Sequence, residues 1–190
     1  MTRLIPALLA GLLLLAGCSG LDGTGGKGYI TGEGQVVQRA AAQRDEPVEL
    51  VAEDLAGEEV DLADFRGAPV VIVVWGAWCP PCRAEMPEVV DAAEDLGDRA
   101  QFVGINLRES SRETAQAFER SSDIPYPSVY SPDGKAMLAF TGVLTIRSIP
   151  SFVVLDAEGR AAATIIGRLP SRTTLVQLVE DVAEEATADG

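Results

Sequence analysis

Six consecutive apolar residues, Val70-Val71-Ile72-Val73-Val74-Trp75, lead into Gly76-Ala77-Trp78-Cys79-Pro80-Pro81-Cys82, and beyond them apolar residues recur at helical spacing. A β-branched run of this kind reads as a strand buried on both faces. The chain is therefore constrained to a strand-turn-helix unit with two cysteines at its corner. With Cys79 as N-cap, Pro80 and Pro81 fill the first helical positions, where a missing N–H is harmless, and Cys82 follows one turn on. The two sulfurs then lie within bonding reach. The thiol nearer the helix end also meets the positive end of the helix dipole, which favours the nucleophilic thiolate. The spacing predicts thiol redox chemistry, with Cys79 attacking and Cys82 resolving.

Plainer readings of the pair fare worse. A structural zinc site takes four Cys or His ligands, and the chain has three cysteines and no histidine. No metal site is expected, and no cofactor. An inert disulfide normally ties distant segments, since closing so short a loop removes little chain entropy. The strand-to-helix setting is the one a redox CxxC requires.

The third cysteine lies in a different context. Met1-Thr2-Arg3 and the apolar run Leu4 to Leu15 precede Leu15-Ala16-Gly17-Cys18-Ser19. A membrane span takes ~20 residues, so this run is too short, and its basic start and small-residue end suit a secretion signal. Residues 1–17 read as a signal peptide. The junction resembles the lipobox of bacterial lipoproteins, which implies cleavage before Cys18 and lipid attachment to its sulfur. The alternative is an ordinary signal peptide with a stray thiol. A lipidated Cys18 leaves an even pair of thiols, as suits an oxidising compartment. Residues 18–45 are Gly-rich and poor in large apolar residues, and read as a flexible tether.

Residues 46–190 have the length of one ordinary domain, with no internal repeat. The composition, 47% hydrophobic and 23% charged, suffices for a buried core, and the net charge of −14 argues against a nucleic-acid partner. Pro47 to Ala52 and Glu59 to Leu62 read as a short hairpin, and Phe102 to Leu107 as a second buried strand. The helix from Cys79 runs to near Gly97. Arg112 to Arg120 reads as a polar helix, Ser128 to Tyr130 as extended, and Lys135 to Phe140 as a short helix. Ser151 to Leu155 and Ala161 to Ile166 form a hairpin, and a helix from Thr173 to about Ala186 closes the chain. The order suggests a three-layer α/β domain with a mixed sheet.

Three separated motifs now identify a resemblance: Asp64-Phe65-Arg66-Gly67, then Trp75-Gly76-Ala77-Trp78-Cys79-Pro80-Pro81-Cys82-Arg83-Ala84-Glu85-Met86-Pro87, then Ile149-Pro150-Ser151-Phe152-Val153-Val154-Leu155-Asp156 with Gly159. The domain resembles thioredoxin-fold proteins of the TlpA/ResA/CcmG type. That implies a thioredoxin-like fold with a central mixed sheet, with residues 108–142 as the extra strand and helix of the extracytoplasmic branch. Pro150 resembles the family's cis-proline, beside which the backbone of Ile149 would receive an extended substrate segment by strand addition. Trp78, Pro80 and Pro81 would flank that substrate, and Trp75 is cover for the site or plain core. Pro87 matches the family's helix kink. Glu85, one turn after Cys82, resembles the glutamate that modulates cysteine acidity and relays a proton.

One departure matters. Thioredoxins keep a buried aspartate six residues before the first cysteine, where this chain has Val73, so Glu85 or water must take the proton of Cys82. The two prolines also remove N–H groups that would otherwise stabilise the Cys79 thiolate. A poorly stabilised thiolate favours the disulfide and hence a reducing couple, towards the ~−270 mV of thioredoxin rather than the ~−120 mV of a strong oxidant. The resemblance then implies a lipid-anchored protein on the extracytoplasmic face of a bacterial cell membrane. It would reduce disulfide-containing protein substrates, apocytochrome c in cytochrome c maturation among them, with electrons from a membrane thiol-transfer protein. Alternatives are a disulfide-forming oxidase using the same residues, a thiol peroxidase, and a non-catalytic lipoprotein binding module. The absence of histidine speaks against a copper chaperone of related fold.

Overall fold

Val70–Trp75 (β5) is an interior strand of the sheet, and every one of its residues is buried, the outcome its unbroken apolar run dictates. The computed structural model describes residues 29–31 and 34–188. Around β5 the strands are β1 (Tyr29–Thr31), β2 (Gly34–Gln38), β6 (Gln101–Leu107), β7 (Ser128–Ser131), β8 (Ser151–Leu155) and β9 (Ala161–Gly167). Their order is β1-β2-β9-β8-β5-β6-β7. The strands β5, β6 and β7 run parallel, whereas β8, β9, β2 and β1 each run antiparallel to the neighbour before. A separate hairpin pairs β3 (Val51–Glu53) with β4 (Glu59–Asp61). This is the mixed α/β thioredoxin-like architecture expected from the sequence.

The alternation of side chains sets the layers. Val71, Val73 and Trp75 of β5, with Phe152 and Val154 of β8, pack against helices α1 (Pro80–Leu96) and α3 (Arg172–Ala188). Ala115 and Phe118 of α2 (Arg112–Ser121) join the same cluster. On the other face, Val70, Ile72 and Val74 pack with Val103, Ile105 and Leu107 under Met137 and Phe140 of a 3-10 helix and Val60 of the hairpin. Helix α1 passes through Pro87 and ends at Gly97, whose φ of 50° reverses the chain. Met86, Val89 and Leu96 on its inner face are buried.

The tether expectation needs correction in its later part. Gly34–Gln38 pairs with β9 from Gly34↔Gly167 to Gln38↔Ala163, and Val36 is in the core, 7% exposed. Past it, Arg44 buries its side chain, donating to Asp156 (3.1 Å), to the Arg39 carbonyl (3.1 Å) and to Glu185. The local sequence holds too few apolar residues to announce a strand. What orders it is the open edge of β9, a tertiary partner that local pattern does not reveal. The expected signal peptide and the expected lipid site at Cys18 lie outside the described residues.

Candidate active site

Cys79 caps α1 with extended backbone, and its sulfur accepts the Cys82 N–H at 3.3 Å, while Pro80 and Pro81 occupy the first two helical positions. The two cysteines form a disulfide with Cα atoms 5.3 Å apart. Both are 3% exposed. With no N–H on either proline, the Cys82 amide is the backbone donor to the Cys79 sulfur.

The loop before β8 meets this corner. Ile149-Pro150 is a cis peptide, and the loop is held by Ser151 Oγ donating to the Ser148 carbonyl (2.8 Å) and by Gly167 N–H on the Pro150 carbonyl (3.0 Å). Ile149 is half-buried and Pro150 buried. A cavity of about 10 Å³ lies under Cys82, lined also by Val73, Glu85, Met86, Pro150 and Phe152. That is close to the smallest space that holds one water molecule. Val73 forms its apolar wall where a thioredoxin carries its aspartate.

Glu85 projects from the next turn of α1 and is 5% exposed. Arg168 Nε donates to one of its oxygens (3.1 Å) and the Leu169 N–H to the other (3.0 Å), so the loop after β9 grips the carboxylate. Burial pushes the Glu85 pKa above its ordinary 4.5, and the bonds from Leu169 and Arg168 only partly oppose it. This places a buried carboxyl group of raised pKa beside the cavity under Cys82, the arrangement that proton exchange with that sulfur requires.

On the other side, the end of β6 braces the loop that carries Trp78. Trp78 is 44% exposed, and its indole N–H donates to the Leu107 carbonyl at 2.9 Å. Only glycine at position 76 allows this, because a Cβ there would stand 2.6 Å from the indole nitrogen. The buried Glu109 accepts the Ala77 N–H (2.8 Å) and an amide hydrogen of Asn106 (3.3 Å). Arg108, with φ at 51°, places its guanidinium 4.7 Å from the Trp78 ring centre. Trp75 is core: 1% exposed, with its ring 5.3 Å from that of Phe118.

The structure thus brings together Trp78, Cys79, Pro80, Pro81, Cys82, Glu85, Ile149 and Pro150. Asn106, Arg108, Glu109 and Arg168 complete the corner and were not anticipated. Their sequence signal is weak, consisting of a polar Asn-Leu-Arg-Glu stretch at the end of a buried strand and one arginine after β9. Among the described residues, no group of three His, Cys, Asp or Glu side chains could hold a metal ion.

Comparison with known proteins agrees with this geometry. The AhpC/TSA family profile matches residues 43–163. Thiol-disulfide oxidoreductase ResA of Bacillus subtilis is 25% identical over 121 residues, 63% of this chain and 65% of that protein. The chain therefore spans just under two thirds of that relative. A DsbF homologue from Corynebacterium diphtheriae superposes with a TM-score of 0.72 at 32% identity, over 77% of this chain and 92% of that one. A secreted thiol-disulfide isomerase from Corynebacterium glutamicum gives 0.74 at 27%, over 84% and 99%.

Proposed function

The chain belongs to the AhpC/TSA family, and from that premise we propose that it is an extracytoplasmic thiol:disulfide oxidoreductase working as a reductant of protein disulfides. The observation that carries the direction is the Cys79 sulfur, whose backbone donor is the Cys82 N–H because two prolines fill the helix start. A thiolate so sparsely bonded is a strong electron donor. In the reduced protein, Cys79 thiolate attacks a substrate disulfide. The substrate S–S bond breaks, a mixed disulfide forms, and the leaving sulfur takes a proton. Cys82 then loses its proton and attacks Cys79 Sγ, which re-forms the Cys79–Cys82 disulfide and releases the second substrate thiolate. Two electrons pass from the protein to the substrate. Glu85, directly or through the cavity under Cys82, takes the Cys82 proton, since Val73 cannot. The substrate strand lies along Ile149-Pro150 against Trp78, Pro80 and Pro81.

The cellular setting in this reading is the outer face of the cell membrane. Supporting it are the signal-like residues 1–17, the lipobox-like junction at Cys18, and the secreted C. glutamicum neighbour. A membrane thiol-transfer protein supplies electrons, and apocytochrome c is the first client to test. Mass spectrometry of the mature N-terminus decides the anchor, with a diacylglyceryl Cys18 expected. The redox reading is tested by equilibrating the full-length protein against dithiol buffers and trapping free thiols. A potential at or below about −270 mV supports the reductant, whereas one near −120 mV sinks it in favour of a disulfide-forming oxidase. A pair that does not cycle leaves a binding module.

A further inference from the structure

The chain carries 29 acidic against 15 basic residues, and most described cations are spent on carboxylates. Among the described residues, the arginines within 4.0 Å of no carboxylate are Arg39, Arg83, Arg108, Arg120 and Arg147. Arg39 follows β2 and Arg120 ends α2, both at the end of the sheet away from the disulfide. The other three are exposed and frame the site. Arg83 adjoins Cys82 in the first turn of α1, Arg147 lies two residues before Ile149, and Arg108 rests on Trp78. Of the acids close to them in sequence, Glu85 and Glu109 are buried and engaged in hydrogen bonds, and the exposed Glu88 accepts the Arg172 N–H. At the same end, Asp133 is paired with Lys135 at 2.7 Å. Arg108 is also held in left-handed backbone, unfavourable for a non-glycine residue, in the pose that keeps its charge over the indole.

We propose that Arg83, Arg108 and Arg147 form a cationic rim that selects client segments with carboxylates flanking the attacked disulfide. The proposal rests on the oxidoreductase reading and adds the chemistry of its client. A cation ring on an otherwise acidic molecule orients as well as attracts: an acidic segment is drawn to the surface around Cys79 and repelled by most of the rest. The range is set by salt. Near 0.1 M the Debye length is ~10 Å, so a docked segment feels the rim while the distant acidic surface is screened.

The test uses the full-length reduced protein and three disulfide-cyclised peptides of one length, with Asp/Glu, Ser/Gly or Lys flanks, and follows second-order rates of peptide reduction. At ~0.1 M salt the acidic peptide should react about 10-fold faster than the lysine peptide. The ratio should fall towards one in 1 M salt and in the R83Q/R108Q/R147Q variant, and single R108Q and R147Q variants should fall between. Equal rates for the three peptides at 0.1 M, or a preference for lysine flanks, would overturn the rim proposal and leave the oxidoreductase reading intact. No reaction with any peptide would overturn both. Capture of phosphatidylglycerol vesicles without a peptide preference would overturn it in favour of a lipid surface.

Discussion

Replacing Arg44 by alanine should show whether the segment before residue 46 is part of the folded body. Arg44 and Asp156 have side chains only 3% and 2% exposed, and their ion pair spans 3.1 Å. Breaking a buried pair by deleting one partner costs about 3–5 kcal/mol. Here Asp156 keeps the Arg160 guanidinium at 2.8 Å and the N–H groups of Glu158 (3.1 Å) and Arg160 (2.9 Å). Those remaining bonds reduce the expected loss to roughly 2–4 kcal/mol. For a chain of this size each kcal/mol moves Tm by ~2–4 °C, so R44A should melt roughly 5–15 °C lower at pH 7. Burial by itself would raise the Asp156 pKa, but the Arg160 N–H and the Arg44 and Arg160 guanidinium groups outweigh it and hold the pKa below 3.8. A depressed carboxylate stabilises the fold above its ordinary pKa and stops doing so as pH falls through its folded value. The gap between wild type and R44A, followed by circular dichroism, should therefore narrow below pH 3.8. A drop under about 2 °C at pH 7, or a gap constant with pH, would refute the clamp.

Three further outcomes are expected. C82S should accumulate a mixed disulfide with peptide clients on non-reducing gels and C79S should not; the reverse pattern would exchange the roles of the two cysteines. Because Glu85 is held above 4.5 by burial, the folded state binds its proton more readily than the unfolded one, and stability falls as pH rises from 4.5 through the folded value. E85Q should flatten that slope in urea titrations and shift the pH profile of peptide reduction, and unchanged curves in both would count against a proton role. A methyl group on Gly104 would stand 2.3 Å from Ser128 Oγ and 2.8 Å from Trp75 Nε1, so G104A should lose about 1–3 kcal/mol by urea midpoint. Adding S128A should restore part of it, and no restoration would place the clash elsewhere.

Strong local patterns announced the elements that build the corner. Val70–Trp75 is apolar at every position, and the Cys-Pro-Pro-Cys start writes its own cap, so the strand and the start of α1 fall where the sequence reads them. Gly34–Gln38 reads as tether because its order comes from β9, more than a hundred residues later. The same distance hid a third of the site. Cys79, Cys82 and Glu85 share one helix, whereas Glu109 reaches Ala77 from the end of β6 and Arg168 reaches Glu85 from the end of β9. An arginine or glutamate in a loop has no periodicity to betray its target, and only the strand order places these loops side by side.

The sheet ends on each side in a very short strand, three residues in β1 and four in β7. A long open edge is a template on which any extended chain can pair. The proposed clients are such chains, met before their cysteines are settled and hence before they are fully folded. By laying Gly34–Gln38 along β9, the protein covers with its own backbone five of the seven residues of a strand that unfolded clients could otherwise join. In the proposed exchange, client pairing is then left to the backbone at Ile149, where a strand would meet the disulfide and leave once exchange is complete, and the self-covered edge would keep the protein from co-aggregating with its clients.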